Sequence, residues 1–264
     1  MQNISDNKPN VMCFSGLDPT GGAGIQADIE ALFSTGCHCL PIVTALTVQD
    51  TANVIASHPT DPALLIAQAR AVLEDIPVQA FKIGLLGSLK TVEVIHTLLT
   101  DYPDIPVILD PILRAGGGYE FSRESIAEAI NALLLPMTTV VTPNTNELRA
   151  LAPNGDSFDA SANELLDRGC QHVLLTGTHA SSPQVINRLY TRYQPTRSYT
   201  WQRLEHEYHG SGCTLAAALA GYLAHGLQVY DAAQQAQRFT WESLNHGIRA
   251  GFGQFLPNRS HWNR

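Results

Sequence analysis

Basic charge is scarce in this chain: 16 Lys and Arg stand against 24 Asp and Glu in 264 residues, a net charge of −8. No basic run exceeds two residues and no basic stripe is interleaved with aromatics. That argues against a nucleic-acid surface and leaves only small molecules as polyanionic ligands. Long apolar runs are missing as well, and the opening MQNISDNKPN lacks the basic, apolar, small-residue order of a signal peptide. The expectation is a cytoplasmic protein with no membrane partner. Cysteine is sparse and odd in number: Cys13, Cys37, Cys39, Cys170 and Cys213 show no CxxC spacing, which argues against a disulfide framework and suits a reducing compartment. Cys37-His38-Cys39 has no second ligand cluster, so an ordinary strand start is favoured over zinc. Without repeats, low-complexity tracts or linkers, residues 1–264 are expected to form one domain.

What is present is alternation of short apolar strands with helical segments, the signature of a parallel sheet wrapped by helices. Strands are expected at Val11 to Ser15, Pro41 to Thr47, Ala80 to Ile83, Val107 to Leu109, Thr139 to Val141 and Val173 to Leu175. Helices are expected near Ile25 to Ser34, Pro62 to Leu73, Val92 to Leu99, Glu124 to Leu134, Ala162 to Arg168, Leu215 to Ala224 and Tyr230 to Arg249. The runs VINRLYTRY and SYTWQRL flank Gln194-Pro195-Thr196-Arg197 as a β-hairpin at the sheet edge would. Ligands of such sheets bind beyond the carboxyl ends of the strands, where the unusual motifs of this chain lie.

The most informative motif is His209-Gly210-Ser211-Gly212-Cys213-Thr214, followed at once by LAAALAGYLAHG. Its glycines permit tight geometry, and the first helical turn offers unpaired N–H groups and a positive dipole end to an anion. The same field is expected to lower the pKa of Cys213, making that thiol a candidate base beside a bound phosphate. Packing of a small buried residue is the competing role.

Upstream, Ser15-Gly16-Leu17-Asp18-Pro19-Thr20-Gly21-Gly22-Ala23-Gly24 opens a helix but matches neither the dinucleotide fingerprint nor a Walker A loop. It is either a tight turn or, given its length and Asp18, a substrate-facing loop. Gln49, in ALTVQDT, carries both donors and an acceptor, as needed to read a heteroaromatic amine and its ring nitrogen; a solvated loop residue is the alternative. Asp110 ends an apolar strand, where it either orients Mg²⁺ or caps a turn. Arg114 with Gly116-Gly117-Gly118 forms either a flap over phosphates or a surface loop. Asn144-Thr145-Asn146-Glu147 has the NxxE spacing of a capping box, and its hard oxygens also suit Mg²⁺ with nucleotide phosphates. Thr176-Gly177-Thr178-His179 either touches phosphates or turns the chain.

Taken in this order, SGLDPTGGAGIQAD, TALTVQDT, FKIGLLGS, DPI, VTPNTNEL and HGSGCTLAAALA resemble the hydroxymethylpyrimidine and phosphomethylpyrimidine kinases of thiamin biosynthesis, in the ribokinase-like superfamily. The resemblance covers nearly the whole chain. It implies a three-layer αβα fold with a mostly parallel central sheet and a short edge hairpin, ATP as phosphoryl donor, Mg²⁺, and a homodimer. It further implies two successive phosphorylations, of 4-amino-5-hydroxymethyl-2-methylpyrimidine and then of its monophosphate. The substrate falls to Gly16, Asp18, Gly22, Ala23, Gln49 and Leu85, and the ATP phosphates to Asn144, Glu147, Thr176, His179 and Arg114. The metal falls to Asp110 and Glu147, and catalysis to Gly210, Ser211 and Gly212 with Cys213 as base. One departure concerns charge: Thr176 stands where the family often has Lys, leaving Arg114 or His179 to supply it. A pyridoxine or pyridoxal kinase of the same superfamily is the nearest alternative, and a non-catalytic pyrimidine sensor a more distant one.

Overall fold

In the computed structural model, which describes residues 8–113, 123–177 and 183–263, the chain alternates strand and helix for most of its length. β1 (Asn10–Leu17) leads through the glycine loop into α1 (Gly24–Ser34), and β2 (His38–Gln49) turns into β3 (Val54–Pro59). Then come α2 (Pro62–Asp75), β4 (Ala80–Ile83), α3 (Leu89–Asp101), β5 (Val107–Leu109), α4 (Arg123–Ala129), β6 (Val140–Val141), α5 (Thr145–Leu151), α6 (Phe158–Asp167) and β7 (His172–Leu175). The hairpin β8 (Gln184–Thr191) and β9 (Arg197–Gln202) precedes α7 (Ser211–Ala224) and α8 (Val229–Asn245). Arg114, His179 and the Gly116–Gly118 segment lie outside the described residues.

The strands form one sheet in the order β3-β2-β1-β4-β5-β6-β7-β8-β9. The central pairs from β2 to β7 are parallel, and both edges are antiparallel. Period-two alternation sends side chains to two faces. Met12, Phe14, Phe81, Ile83, Val107 and Leu109 pack under α2, α3, α5 and α6. Val11, Cys13, Ala80 and Ile108 pack under α1, α7 and α8. The result is three layers with a core on each side of the sheet. Helix starts are set locally: Asp61 with Pro62, Ser88 and Ser157 each accept a backbone N–H of the turn they begin. The small residues of α7 let it lie close to the sheet and to α1, where a Cβ on Gly221 would come within 2.4 Å of Thr35 Oγ1.

Two expectations need correction, and one strand was not anticipated. β3 was not legible as a strand, because it is a half-exposed edge whose hydrogen bonds come from β2 rather than from its own pattern. Its turn is organised by Asp50 Oδ1, which accepts from Ala52 N and Asn53 N at 2.8 Å. The helix expected at Glu124 to Leu134 widens after α4 into a π turn at Ile130–Leu134 and tightens to 3₁₀ geometry at Leu135–Met137, around Pro136. α8 ends at Asn245 rather than Arg249, because Ile248 N turns away to the Leu256 carbonyl. The Cys37 to Cys39 segment is, as expected, where a strand begins. No described helix is long and apolar enough to cross a membrane.

Candidate active site

The carboxyl ends of the parallel strands open onto a cavity of about 770 Å³. Gly16 and Leu17 reach it from β1, Gln49 from β2, Leu85 just beyond β4, Asp110 after β5, Thr142 and Asn144 after β6, and Thr176 after β7. Of the described residues assigned to substrate, phosphates, metal or catalysis, all except Gly22 line it. Gly22 packs behind instead: a Cβ there would strike Leu256 at 2.6 Å and the His209 ring at 2.7 Å.

Across the cavity, Gly210 caps α7 with φ of +82°, and no side chain caps the helix. The turn at Ser211, Gly212 and Cys213 therefore faces the cavity as a set of backbone donors at a positive helix end. Gly210 is required twice over, since a Cβ would meet the Gly22 carbonyl oxygen at 1.9 Å and its φ is in the left-handed region. Asp18 organises the opposing loop. Its Oδ1 accepts from Thr20 N and Oγ1 at 2.8 Å, and its Oδ2 accepts from Ala23 N at 2.9 Å and lies 2.8 Å from His209 Nε2. Burial raises its pKa, but the hydrogen bonds from His209 and Thr20 outweigh that and hold it at about 2. Asp18 thus spends its oxygens on the loop and on His209.

The floor is charged. Lys82, the third residue of β4, is fully buried with Nζ 2.9 Å from Asp28 Oδ1, 3.0 Å from Asp28 Oδ2 and 2.9 Å from Ser15 Oγ. Burial disfavours its charge, yet Asp28, Cys213 and Asp110 together drive its pKa upward, so the ammonium persists. Asp110 is 4% exposed, and its Oδ2 accepts no hydrogen bond among the described residues. Burial raises its carboxyl to about 6 even though Lys82 pulls it down. Cys213 corrects the sequence expectation: burial pushes its thiol up to about 12, against the pull of Lys82, and the Asp110 and Asp28 carboxylates add to the rise. The helix field does not overcome desolvation at this buried side chain.

Asn144 and Glu147 do form the capping box. Asn144 Oδ1 accepts from Asn146 N and Glu147 N at 2.9 and 3.0 Å, while Glu147 Oε2 accepts from Asn144 N at 2.9 Å. Both also line the cavity, so the structural role and a place on the cavity wall coexist. Asp110 Oδ2, buried and without a hydrogen bond from the described residues, is an oxygen that a divalent ion near the first turn of α7 would satisfy, although the described residues hold no cluster of three or more His, Cys, Asp or Glu side chains for one.

Sequence reasoning missed Lys82, although a lysine inside the apolar strand AFKI was signal enough that a charge was being buried. It also missed the wall beyond Thr176. Trp201 and Trp241 stack there with centroids 6.5 Å apart, and Gln237 Oε1 accepts from Asn187 Nδ2 at 2.9 Å and Trp201 Nε1 at 3.1 Å. These come from the hairpin and α8, and only folding brings them to the strand ends.

Phosphoryl transfer needs fixed donors where charge develops, and the uncapped first turn of α7 sets such donors on the cavity wall. Together with the layered sheet, that makes the protein a ribokinase-like phosphotransferase. Known relatives narrow the class to a family. A model of the family described as phosphomethylpyrimidine kinase matches residues 18–258, and the chain belongs to that family. It is similar to the hydroxymethylpyrimidine/phosphomethylpyrimidine kinase of Haemophilus influenzae, at 31% identity over 97% of each chain, and to that of Synechococcus elongatus, at 34% over 93% of this chain and 95% of the other. It spans 51% of the length of the bifunctional thiamine biosynthesis protein ThiED of Geobacter sulfurreducens, at 34% identity over 92% of this chain. Among solved structures it superposes on the phosphomethylpyrimidine kinase of Clostridium difficile with a TM-score of 0.76, at 27% identity over 90% of this chain and 100% of that one. The pyridoxal kinase of Staphylococcus aureus in complex with pyridoxal gives a TM-score of 0.87 at 26% identity, over 97% of this chain and 95% of that one.

Proposed function

We propose that this kinase uses ATP and Mg²⁺ to phosphorylate the hydroxymethyl group of 4-amino-5-hydroxymethyl-2-methylpyrimidine, and then the resulting monophosphate, toward thiamin. The observation that carries this reading is the opposition, across one cavity, of the uncapped first turn of α7 to the Gly16, Ala23, Gln49 and Leu85 surface. The pyrimidine lies on that surface with its exocyclic amine and ring nitrogen against the Gln49 carboxamide. The stacked Trp201 and Trp241 at the far end receive the flat base of ATP.

In the transfer the substrate hydroxyl oxygen bonds to the γ-phosphorus, the bond to the β-phosphate oxygen breaks, and ADP leaves with that electron pair. Backbone N–H groups of Ser211, Gly212 and Cys213 hold the charge on the transferring group. Cys213 accepts the hydroxyl proton as the thiolate, which Lys82 favours against burial; the resting thiol, raised to about 12, must first give up its own proton to solvent. Asp110 and Glu147, with Asn144, would hold Mg²⁺, which when bound would neutralise charge on the phosphates. Thr176 lines the same region with a hydroxyl rather than a charge, and Arg114 and His179 are the cationic groups assigned to the phosphates. The chain works as one domain in the cytoplasm, in keeping with five free cysteines. It pairs as a homodimer through the exposed apolar strand face at Leu46, Val48 and Ile55.

Incubation with ATP, Mg²⁺ and the hydroxymethylpyrimidine, followed by mass spectrometry, tests the reading: both mono- and pyrophosphate are expected. Monophosphate alone overturns the second step. The close superposition on pyridoxal kinase favours one other substrate, so pyridoxal is run alongside. A higher kcat/KM for pyridoxal would replace the pyrimidine as the substrate.

A further inference from the structure

We propose that Arg259 is a positioning residue that locks the glycine loop to the anion-binding turn and so sets the distance between the acceptor hydroxyl and the transferring phosphoryl group. The inference deepens the phosphotransferase reading and rests on it. Arg259 is among the largest fully buried side chains, at 2% exposure, yet it lies in the segment after α8, far in sequence from every motif of the site. It does not line the cavity.

Its guanidinium reaches three elements at once. Nε donates to Thr214 Oγ1 in α7 at 2.9 Å, and Nη1 donates to the Gly21 carbonyl at 3.4 Å and to Glu30 Oε2 in α1 at 3.0 Å. Nη2 donates to the Gly22 carbonyl. Thr214 Oγ1 passes the link on by donating to the Gly210 carbonyl at 2.8 Å. The arginine backbone is itself tied down, its carbonyl accepting from Ser34 Oγ at 2.7 Å, and Asn258 N donating to the Ser243 carbonyl at 2.9 Å.

The loop and the turn meet backbone to backbone at Gly22 and Gly210; on the cavity side Asp18 and His209 tie them at 2.8 Å, and behind the joint the Arg259 guanidinium holds the two backbones themselves. A planar fork of donors can hold two carbonyls and a hydroxyl in one geometry, which a lysine point charge cannot. Burial strengthens each of those bonds. Loop and turn are therefore one rigid unit, and an error of about 1 Å between them is enough to lower turnover by on the order of a hundredfold.

The test uses Arg259→Met, Arg259→Lys and, as a milder variant that keeps its volume, Thr214→Val. In each folded variant kcat is expected to fall, by about ten- to a hundredfold in Arg259→Met, with KM for ATP changed by less than about threefold. Millimolar guanidinium should restore part of kcat in Arg259→Met, and ammonium should not. Combining Arg259→Met with Thr214→Val should lower kcat no further than Arg259→Met alone. Wild-type kcat in folded Arg259→Met, or full activity in Arg259→Lys, overturns the proposal. Hydrogen–deuterium exchange on the ligand-free protein separates this from the reading of function, because it needs no substrate. Amides of residues 18–24 and 210–214 should exchange faster together in Arg259→Met and in Thr214→Val. Unchanged exchange in both segments overturns the lock even if the kinase activity is established, and coupled acceleration supports it even if the substrate proves different.

Discussion

The Gly22 carbonyl oxygen occupies the place where a Cβ on Gly210 would stand, 1.9 Å away. The loop that faces the substrate and the turn that faces the phosphate are thereby built against each other. Gly210→Ala is expected to abolish detectable turnover and to lower stability by roughly 1–2 kcal/mol for the left-handed backbone alone, before the clash is counted. Chemical denaturation and a coupled ADP assay on the same preparation check both effects; an alanine variant with normal kcat would show that the two backbones are free to separate.

Cys213→Ala should lower kcat by about a hundred- to ten-thousandfold while leaving KM for both substrates within a few-fold, the pattern of a lost general base. Steady-state kinetics decide it. Because burial raises the thiol to about 12, Cys213 in the ligand-free protein should also resist iodoacetamide at neutral pH, followed by peptide mass spectrometry. Rapid alkylation would contradict the raised value.

Asp110→Asn removes the buried carboxylate whose Oδ2 accepts no hydrogen bond among the described residues. The Mg²⁺ concentration for half-maximal activity should rise by roughly ten- to a hundredfold. Without metal, the variant should melt higher than the wild type, because a carboxylate whose charge burial disfavours despite Lys82 is gone. An unchanged Mg²⁺ dependence would remove Asp110 from the metal's ligands.

Lys82→Met breaks the fully buried pair with Asp28 and strands that carboxylate. A loss of about 3–5 kcal/mol in unfolding free energy is expected. Lys82→Met combined with Asp28→Leu should recover most of it in urea titrations, since the penalty lies in the orphaned charge rather than in the missing bond. Failure of the double variant to recover would instead assign the loss to packing.

Asp18 predicts the acid behaviour of the loop. Its carboxyl titrates at about 2 when folded, below the ordinary 3.8, so the unfolded chain binds the proton more readily between those values. Its contribution, on the order of 2 kcal/mol, is fully present above about pH 4 and is lost as pH falls through about 2. Asp18→Asn should be less stable than the wild type at pH 6, and the gap should close at pH 2. A gap independent of pH would mean the carboxylate charge is not what holds His209 and the loop.

How much of this was legible differs from residue to residue. The parallel core was readable because each buried strand carries its own apolar run, and the bounds of β4 and β5 coincide with the sequence expectation. β3 was not, because an edge strand borrows its order from a neighbour. Within the site, Asn144 and Glu147 announced themselves by local spacing, and the capping box that spacing implies is present. Gly22 misled: the motif marks the loop as glycine-rich, but not which glycine faces the ligand and which faces Leu256 and His209.

The sequence by itself determined most of the elements, their layering and the motifs at the strand ends, because these follow from the period of apolar residues and from backbone chemistry within a few residues. Tertiary structure alone decided the charges. It placed Lys82 beneath Asp110 and Cys213, turned an expected low-pKa thiol into one raised to about 12, and carried Arg259 from the end of the chain to the joint between Gly22 and Gly210. The reason is physical: desolvation and Coulomb terms depend on what surrounds a group in space, and that is set by contacts between residues up to 238 positions apart.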